Sequence, residues 1–251
     1  MKTRIVRFVE ASFRRLGFAL VPYWRLGSIS QEVYLRHLFE LLRIDCVVDV
    51  GANLGQYRDF LRNRVGYDGL IVSIEPIPDH VDVLRERALR DRKWLIENCA
   101  LGAASGVAPF NVMKTSVFSS FLAPNRSSTN QFSAQNQIDR TIEVQLKKLD
   151  DMLPTLLEST GSKRPYLKLD TQGFDLQVIE GGKAILPQML ALQTEASIIP
   201  IYVGMPDYKT TIRTLEELGF RIGGMFPVHP DAVLQLVEFD CHMVNASQCP
   251  P

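Results

Sequence analysis

The features that most easily give a sequence away are scarce here. The 251 residues hold four cysteines, Cys46, Cys99, Cys241 and Cys249, scattered with no C-x-x-C spacing. A zinc site and a disulfide framework are therefore not expected. Two of the cysteines lie in apolar, strand-like stretches, as reduced thiols do in a reducing compartment. Histidine is equally sparse. His37 and His80 sit in helical stretches and His242 alternates within the last apolar run, which leaves His229, in a proline-flanked loop, as a candidate base. Net charge is absent too: 28 Lys and Arg balance 28 Asp and Glu, so no global field selects nucleic acid. No apolar run approaches the roughly 18 residues that span a bilayer. The N-terminus lacks the apolar stretch and small-residue cleavage site of a secretory signal. A cytoplasmic enzyme is expected, long enough to bury a full core as one large or one-and-a-half domains.

What is present is concentrated between residues 46 and 76. Residues 46–50, CVVDV, form a short β-branched run that reads as a buried parallel strand. It breaks at Gly51, and a helix-competent segment follows over 54–65. Gly51 and Gly55 flank a turn where the backbone passes close to something, since only glycine avoids a clashing Cβ. A second strand, IVSIE, ends at Glu75, 26 residues after Asp49. Nucleotide-binding α/β folds place an acid near that distance to hold a ribose hydroxyl. An ionised carboxylate there accepts from both hydroxyls, and Ile77 and Pro76 lie just beyond, against an adenine. A dinucleotide fingerprint would need G-x-G-x-x-G. Asn53 replaces its second glycine, and Gln56 and Tyr57 follow Gly55, so no pyrophosphate cradle forms.

The α/β pattern continues through the chain. Pro78 opens a helix over 79–91, and 94–99 is a third strand ending at Asn98, Cys99 and Ala100. Residues 108–121 alternate as a strand or hairpin, and 125–139 form a polar loop long enough to suggest function. Strands follow at 142–146, 166–170 and 189–196, with helices at 149–157, 175–184 and 207–218, the last stopped by Gly219. Segments 220–223 and 233–244 read as a closing strand pair. At the start, residues 1–23 alternate Lys2, Arg4, Arg7, Arg14 and Arg15 with Ile5, Phe8, Val9, Phe13, Leu16 and Phe18 at helical spacing. Such a basic amphipathic helix either lies on an anionic membrane or packs on the domain. A further helix is expected over 31–42.

VVDVGANLGQY, SIEPIPDHVDVLRE, NCALGAASG, LKKLDDML, YLKLDTQGFDLQVIEGG and LQTEAS, in this order, resemble the FkbM family of S-adenosylmethionine-dependent O-methyltransferases. The glycines spaced i and i+4, led by Asp49, are similar to motif I of class I methyltransferases. The resemblance covers about residues 45–245 and departs from the usual V-x-G-x-E at Thr171-Gln172-Gly173-Phe174-Asp175. It implies a Rossmann-like, mostly parallel seven-stranded sheet with an antiparallel last strand and helices on both faces. It divides the chain into a helical extension, 1–44, and a methyltransferase domain, 45–251, with a polar insertion near 122–140. S-adenosylmethionine would be held by Asp49, Gly51, Asn53, Gly55, Tyr57, Glu75, Pro76, Ile77, Asn98, Ala100 and Asp170. The implied acceptor is a hydroxyl, of a sugar in a glycolipid, signalling oligosaccharide or surface polysaccharide, or of a polyketide.

Catalysis needs an aligned acceptor oxygen and help with its proton. Asp170 and Glu195 end core strands, where open α/β sheets carry their chemistry. Both are expected to open onto one crevice, as bases, substrate partners or ligands of a divalent metal, which prefers oxygen. Lys168, two residues before Asp170 and on the same strand face, offers it an ion pair.

Overall fold

The structure is a computed structural model that describes residues 13, 17–18, 21–127, 132–228 and 235–248. The amphipathic helix expected at 1–23 falls almost wholly outside the described residues, and His229 and Cys249 fall outside them entirely. In chain order the elements are α1 (Ile29–Leu42), β1 (Cys46–Val50), α2 (Gln56–Phe60), β2 (Leu70–Ile74), α3 (Pro78–Ala88), β3 (Trp94–Glu97), β4 (Ala100–Leu101), β5 (Gly106–Met113), β6 (Ile138–Lys147), α4 (Leu149–Thr160), β7 (Pro165–Leu169), α5 (Asp175–Glu180), β8 (Ala191–Ser197), α6 (Tyr208–Glu217), β9 (Phe220–Val228) and β10 (Glu238–Asn245).

Seven strands make one sheet in the order β3-β2-β1-β7-β8-β10-β9. All neighbours are parallel except β10, which runs antiparallel to both β8 and β9. This is the sheet expected of a class I methyltransferase. The strand order reverses between β1 and β7, which opens a crevice beyond their carboxyl ends.

Alternation along the strands sorts the core into two layers. Cys46, Val48, Val50, Leu167, Leu169 and Leu192 face α4, α5 and α6. Val47, Tyr166 and Ala191 face α1, α2 and α3. Leu35, Leu38, Phe39 and Leu42 of α1 belong to that second core, so the boundary drawn at residue 44 does not separate two cores.

One face also carries a row of polar side chains in register across five strands. Ser73, Asp49, Lys168, Gln193 and His242 stand side by side on β2, β1, β7, β8 and β10. All five are buried.

Several boundaries differ from the sequence reading. The helix expected over 54–65 starts at Gln56 and widens into a π-turn at Leu61–Val65. The helix expected to reach 184 stops at Glu180 and gives way to turns, and Gly181 packs so closely on the β4 end that a Cβ there would lie 2.0 Å from the Gly102 carbonyl oxygen. The third strand ends at Glu97, and Ala100–Leu101 turns into a separate three-stranded sheet of order β4-β6-β5. Residues 106–113 form one long strand of that sheet, with a bridge from Asn111 to Ser120, and β6 starts at Ile138 inside the expected polar loop.

Gly51 is where the two halves of the sheet meet. Its φ is +80°, and a Cβ there would lie 2.0 Å from the Asp170 carbonyl oxygen at the end of β7. Gly51→Ala is expected to lower stability by about 3 kcal/mol, combining the left-handed strain with overpacking. Chemical denaturation of the variant checks this; a loss below about 1 kcal/mol would mean that the contact relaxes freely.

Candidate active site

A cavity of about 390 Å³ lies over the carboxyl ends of β1, β2 and β7. At one end stand Glu75, Pro76 and Ile77 with Ala100, Leu101, Phe110 and Phe121, an apolar slot beside one carboxylate. Glu75 is only 4% exposed. Its Oε2 accepts from the Asn53 backbone N–H at 2.8 Å and its Oε1 from the Ile77 N–H at 2.9 Å. Each oxygen keeps a further lone pair for a ribose hydroxyl. The same carboxylate therefore pins the glycine loop to the end of β2.

Asn53 adopts a left-handed φ of 49°, which asparagine tolerates better than most residues. Its Nδ2 donates to Ser116 Oγ at 3.2 Å, fastening the loop to the small sheet's β5–β6 connection. Gly51, Asn53, Tyr57 and Asp170 also line the cavity.

Three residues assigned to the cofactor do not line it. Gly55 faces inward, where a Cβ would meet the Trp94 indole and Arg87 at 3.0 Å. Asn98 spends its amide on the Glu75 and Pro76 carbonyls, at 3.1 and 3.3 Å. Asp49 is fully buried, accepting from Ser73 Oγ at 3.2 Å and paired with Lys168 Nζ at 3.1 Å. Each shapes the site from behind.

The other end of the cavity is polar. Lys168 Nζ lies 3.2 Å from Asp170 Oδ2 and 5.1 Å from the centre of the Tyr57 ring. Burial works against its charge, but Asp170 and Asp49 outweigh that and hold it protonated above the ordinary lysine range. Gln172 Nε2 donates to Asp170 Oδ1 and to Glu195 Oε2, each at 2.9 Å, while its Oε1 accepts from the Tyr202 hydroxyl at 2.9 Å. Asp170 thus opens onto the cavity as expected. Glu195 does not line it and sits behind the Gln172 amide. That amide occupies the place a shared cation would need. Among the described residues no group of three or more His, Cys, Asp or Glu could hold a metal. The donor set does not fit a divalent ion.

Against this geometry, residues 49–222 match the family described as Methyltransferase FkbM domain. The chain belongs to the FkbM methyltransferase family. No curated protein matches it. Among solved structures it is similar to an FkbM methyltransferase from Methylobacillus flagellatus KT, with 13% identity and a TM-score of 0.49, covering 79% of this chain and 43% of that one. It is also similar to Aeropyrum pernix fibrillarin with natively bound S-adenosyl-L-methionine, with 14% identity, 87% and 76% coverage and a TM-score of 0.48. A precorrin-6y C5,15-methyltransferase from Geobacter metallireducens GS-15 follows, with 12% identity, 85% and 87% coverage and a TM-score of 0.42. The chain spans less than half the length of the first of these. As a family member it has the S-adenosylmethionine-binding methyltransferase fold, and the slot beside Glu75 suits the adenosine.

In this FkbM domain several polar residues at the site escape sequence reasoning. Gln193 Oε1 accepts from the Tyr57 hydroxyl at 2.9 Å. Gln31 of α1 donates to Asp240 Oδ2 at 2.7 Å, and its Nε2 is 3.1 Å from His242 Nε2. Burial pushes His242 down to about 3, which keeps the ring neutral, and its Nδ1 lies 2.8 Å from the Tyr166 hydroxyl. The available signal was the two-residue spacing of Gln193 and Glu195 on β8 and of Glu238, Asp240 and His242 on β10.

Two expectations follow. Glu75→Ala should weaken S-adenosylmethionine binding by about 1.5–3 kcal/mol, as for hydrogen bonds to a charged group; calorimetric titration of the folded variant checks it, and an unchanged affinity removes Glu75 from the site. Glu238 is 5% exposed with no hydrogen-bond partner for Oε1 among the described residues. Burial, with Asp170, Asp175 and Asp240 nearby, raises its carboxyl from 4.5 to about 8. A raised carboxyl favours the folded state below its unfolded value and loses that contribution as pH climbs through the folded one. Unfolding free energy should therefore fall between about pH 4.5 and 8, and Glu238→Gln should flatten the decline in denaturant titrations across that range.

Proposed function

We propose that this protein is an S-adenosylmethionine-dependent O-methyltransferase acting on a sugar hydroxyl of an amphiphilic glycan, in the cytoplasm or at the inner face of its membrane. The observation that carries the reading is the two-ended cavity: an apolar slot with a single carboxylate, continuous with an end lined by carboxylates and amides. The methyl donor supplies a reactive sulfonium, and what the protein adds is alignment of the acceptor oxygen and a destination for its proton. Carboxylates and amides match the paired donors and acceptors of a sugar better than those of an apolar ring. Tyr57 and Phe60 add aromatic rings to the lining.

The N-terminal segment supports the membrane half of the reading through its sequence. Lys2, Arg4, Arg7, Arg14 and Arg15 alternate with phenylalanine and aliphatic residues, and each such cation is worth about 1 kcal/mol at an anionic surface. Incubation with S-adenosylmethionine and a panel of glycolipids, oligosaccharides and polyketide phenols, read by mass spectrometry, is expected to show a single methyl gained on a glycan oxygen. Methylation confined to the phenols overturns the sugar assignment. In liposome co-sedimentation, the whole chain is expected to pellet with anionic vesicles at low salt and a chain starting near Ser28 to stay in solution. Equal behaviour of the two removes the membrane contact and leaves the methyl transfer unaffected.

A further inference from the structure

The residues that line the cavity come from two parts of the chain. Those around the adenosine slot, and Lys168, Asp170 and Gln193, lie within residues 49–222, the span shared with the family. Ser28, Gln31 and Asp240 also line the cavity but fall outside that span. They come from α1 and from the antiparallel strand β10, which enters the sheet beside β8 with Asp240 directly opposite Glu195. This corner of the cavity is built by parts that the shared domain does not define.

Its carboxylates differ in how they are held. Asp170 is committed on both oxygens, to Lys168 at 3.2 Å and to Gln172 at 2.9 Å. Asp240 carries no ion pair among the described residues. It is held by an amide, Gln31 donating to Oδ2 at 2.7 Å, with Gln193 diagonal to it on β8. Gln193 is in turn oriented by the Tyr57 hydroxyl on its Oε1 at 2.9 Å. A carboxylate fixed by a neutral donor and facing a cavity, with the Lys168 charge nearby but no ion-pair contact of its own, can accept a proton without breaking an ion pair.

We propose that Asp240 is the base that takes the acceptor's proton and that Gln31 positions it, so that the acceptor is met by α1 and β10 rather than by Asp170 and Glu195. The inference rests on the hydroxyl transfer proposed above. The acceptor oxygen bonds to the methyl carbon as the carbon–sulfur bond breaks. The bonding pair leaves with sulfur, and the hydroxyl proton passes to an Asp240 carboxylate oxygen. Burial raises Asp240 above the ordinary aspartate range, which brings it closer to the working pH of a base. The groups facing it are Lys168 and Tyr166 of β7 with Asp170 beyond them, Glu195 of β8, Glu238 of its own strand and Tyr57 of α2, and His242 shares the Gln31 amide with it.

The test uses Asp240→Asn and Gln31→Ala in the full chain, both checked for folding by circular dichroism. S-adenosylhomocysteine is the binding probe, and methyl glycosides and simple phenols are the acceptors. Asp240→Asn is expected to bind the probe within about threefold of the parent while kcat falls by roughly 10²–10⁴. Gln31→Ala is expected to lower kcat about tenfold at unchanged probe affinity. A second readout needs no acceptor: in carboxyl-labelled protein bound to the probe, the Asp240 carbon resonance should titrate above the roughly 3.9 of a free aspartate. In Gln31→Ala its midpoint should move further up, because the donor that favours the anion is gone. Turnover by Asp240→Asn within about threefold of the parent overturns the proposal, as does an Asp240 resonance that titrates in the ordinary range. If phenols are methylated and glycosides are not, the sugar reading falls and Asp240 is judged on the phenol. If neither is methylated, the titration alone decides it.

Discussion

Lys168 sits in the middle of the sheet with 4% of its surface exposed, and it keeps its charge because Asp49 and Asp170 stand 3.1 and 3.2 Å away. Breaking a buried pair by removing one partner typically costs about 3–5 kcal/mol, since the other charge is left in a medium that cannot solvate it. That requirement fixes how β1 and β7 lie against each other. Strand side chains alternate with a period of two, so a slip by one residue would turn Asp49 into the opposite, apolar layer. The partners on either side, Ser73 and Gln193, extend the same condition to β2 and β8. The glycine loop, the cavity floor and the Tyr57 ring above Lys168 all inherit their positions from this pairing.

The parts of the molecule governed by local pattern were legible in the sequence. Buried parallel strands read as continuous apolar runs, so β1, β2, β7 and β8 stand close to where the pattern put them. Glu75 and Gly51 were visible through spacing, and both line the cavity. What stayed hidden depends on distant chain. Gln31 meets Asp240 across 209 residues, and nothing local to either marks it as a site residue. Two strands of the small sheet were legible, at 108–121 and at 142–146, where Ile142, Val144 and Leu146 alternate toward one core. That they leave the main sheet was not, because β4, which pairs with β6, is two residues long and has no periodic signature. Gly55 illustrates the opposite error: the need for glycine was read correctly, but the crowding comes from Trp94 and Arg87 rather than from a ligand.

The charges around the cavity also bear on which sulfur compound it prefers. Glu75, Asp170 and Asp240 face it with Lys168 as the countercharge, and Asp49 lies directly beneath. A cationic sulfonium sits favourably in that field. The neutral thioether left after transfer has lost this attraction, although its ribose, adenine and amino-acid contacts are unchanged. Under the proposed function, the electrostatic part of binding is therefore expected to favour donor over product.

The 2.0 Å approach to the Asp170 carbonyl that excludes a Cβ at Gly51 has a consequence for traffic. The loop after β1 and the end of β7 are pressed together, and the Glu75 carboxylate ties the same loop to β2. The floor of the cavity is therefore tied together from β2 across β1 to β7, and under the proposed function an acceptor arrives along the walls. These walls are the N-terminal turn of α1 and the β5–β6 connection, and side-chain contacts join them to the floor and its neighbours, Gln31 on Asp240, Asn53 on Ser116 and Ser120 on the Gln172 carbonyl among them. Backbone crowding fixes the floor, while the walls are joined to it through side chains.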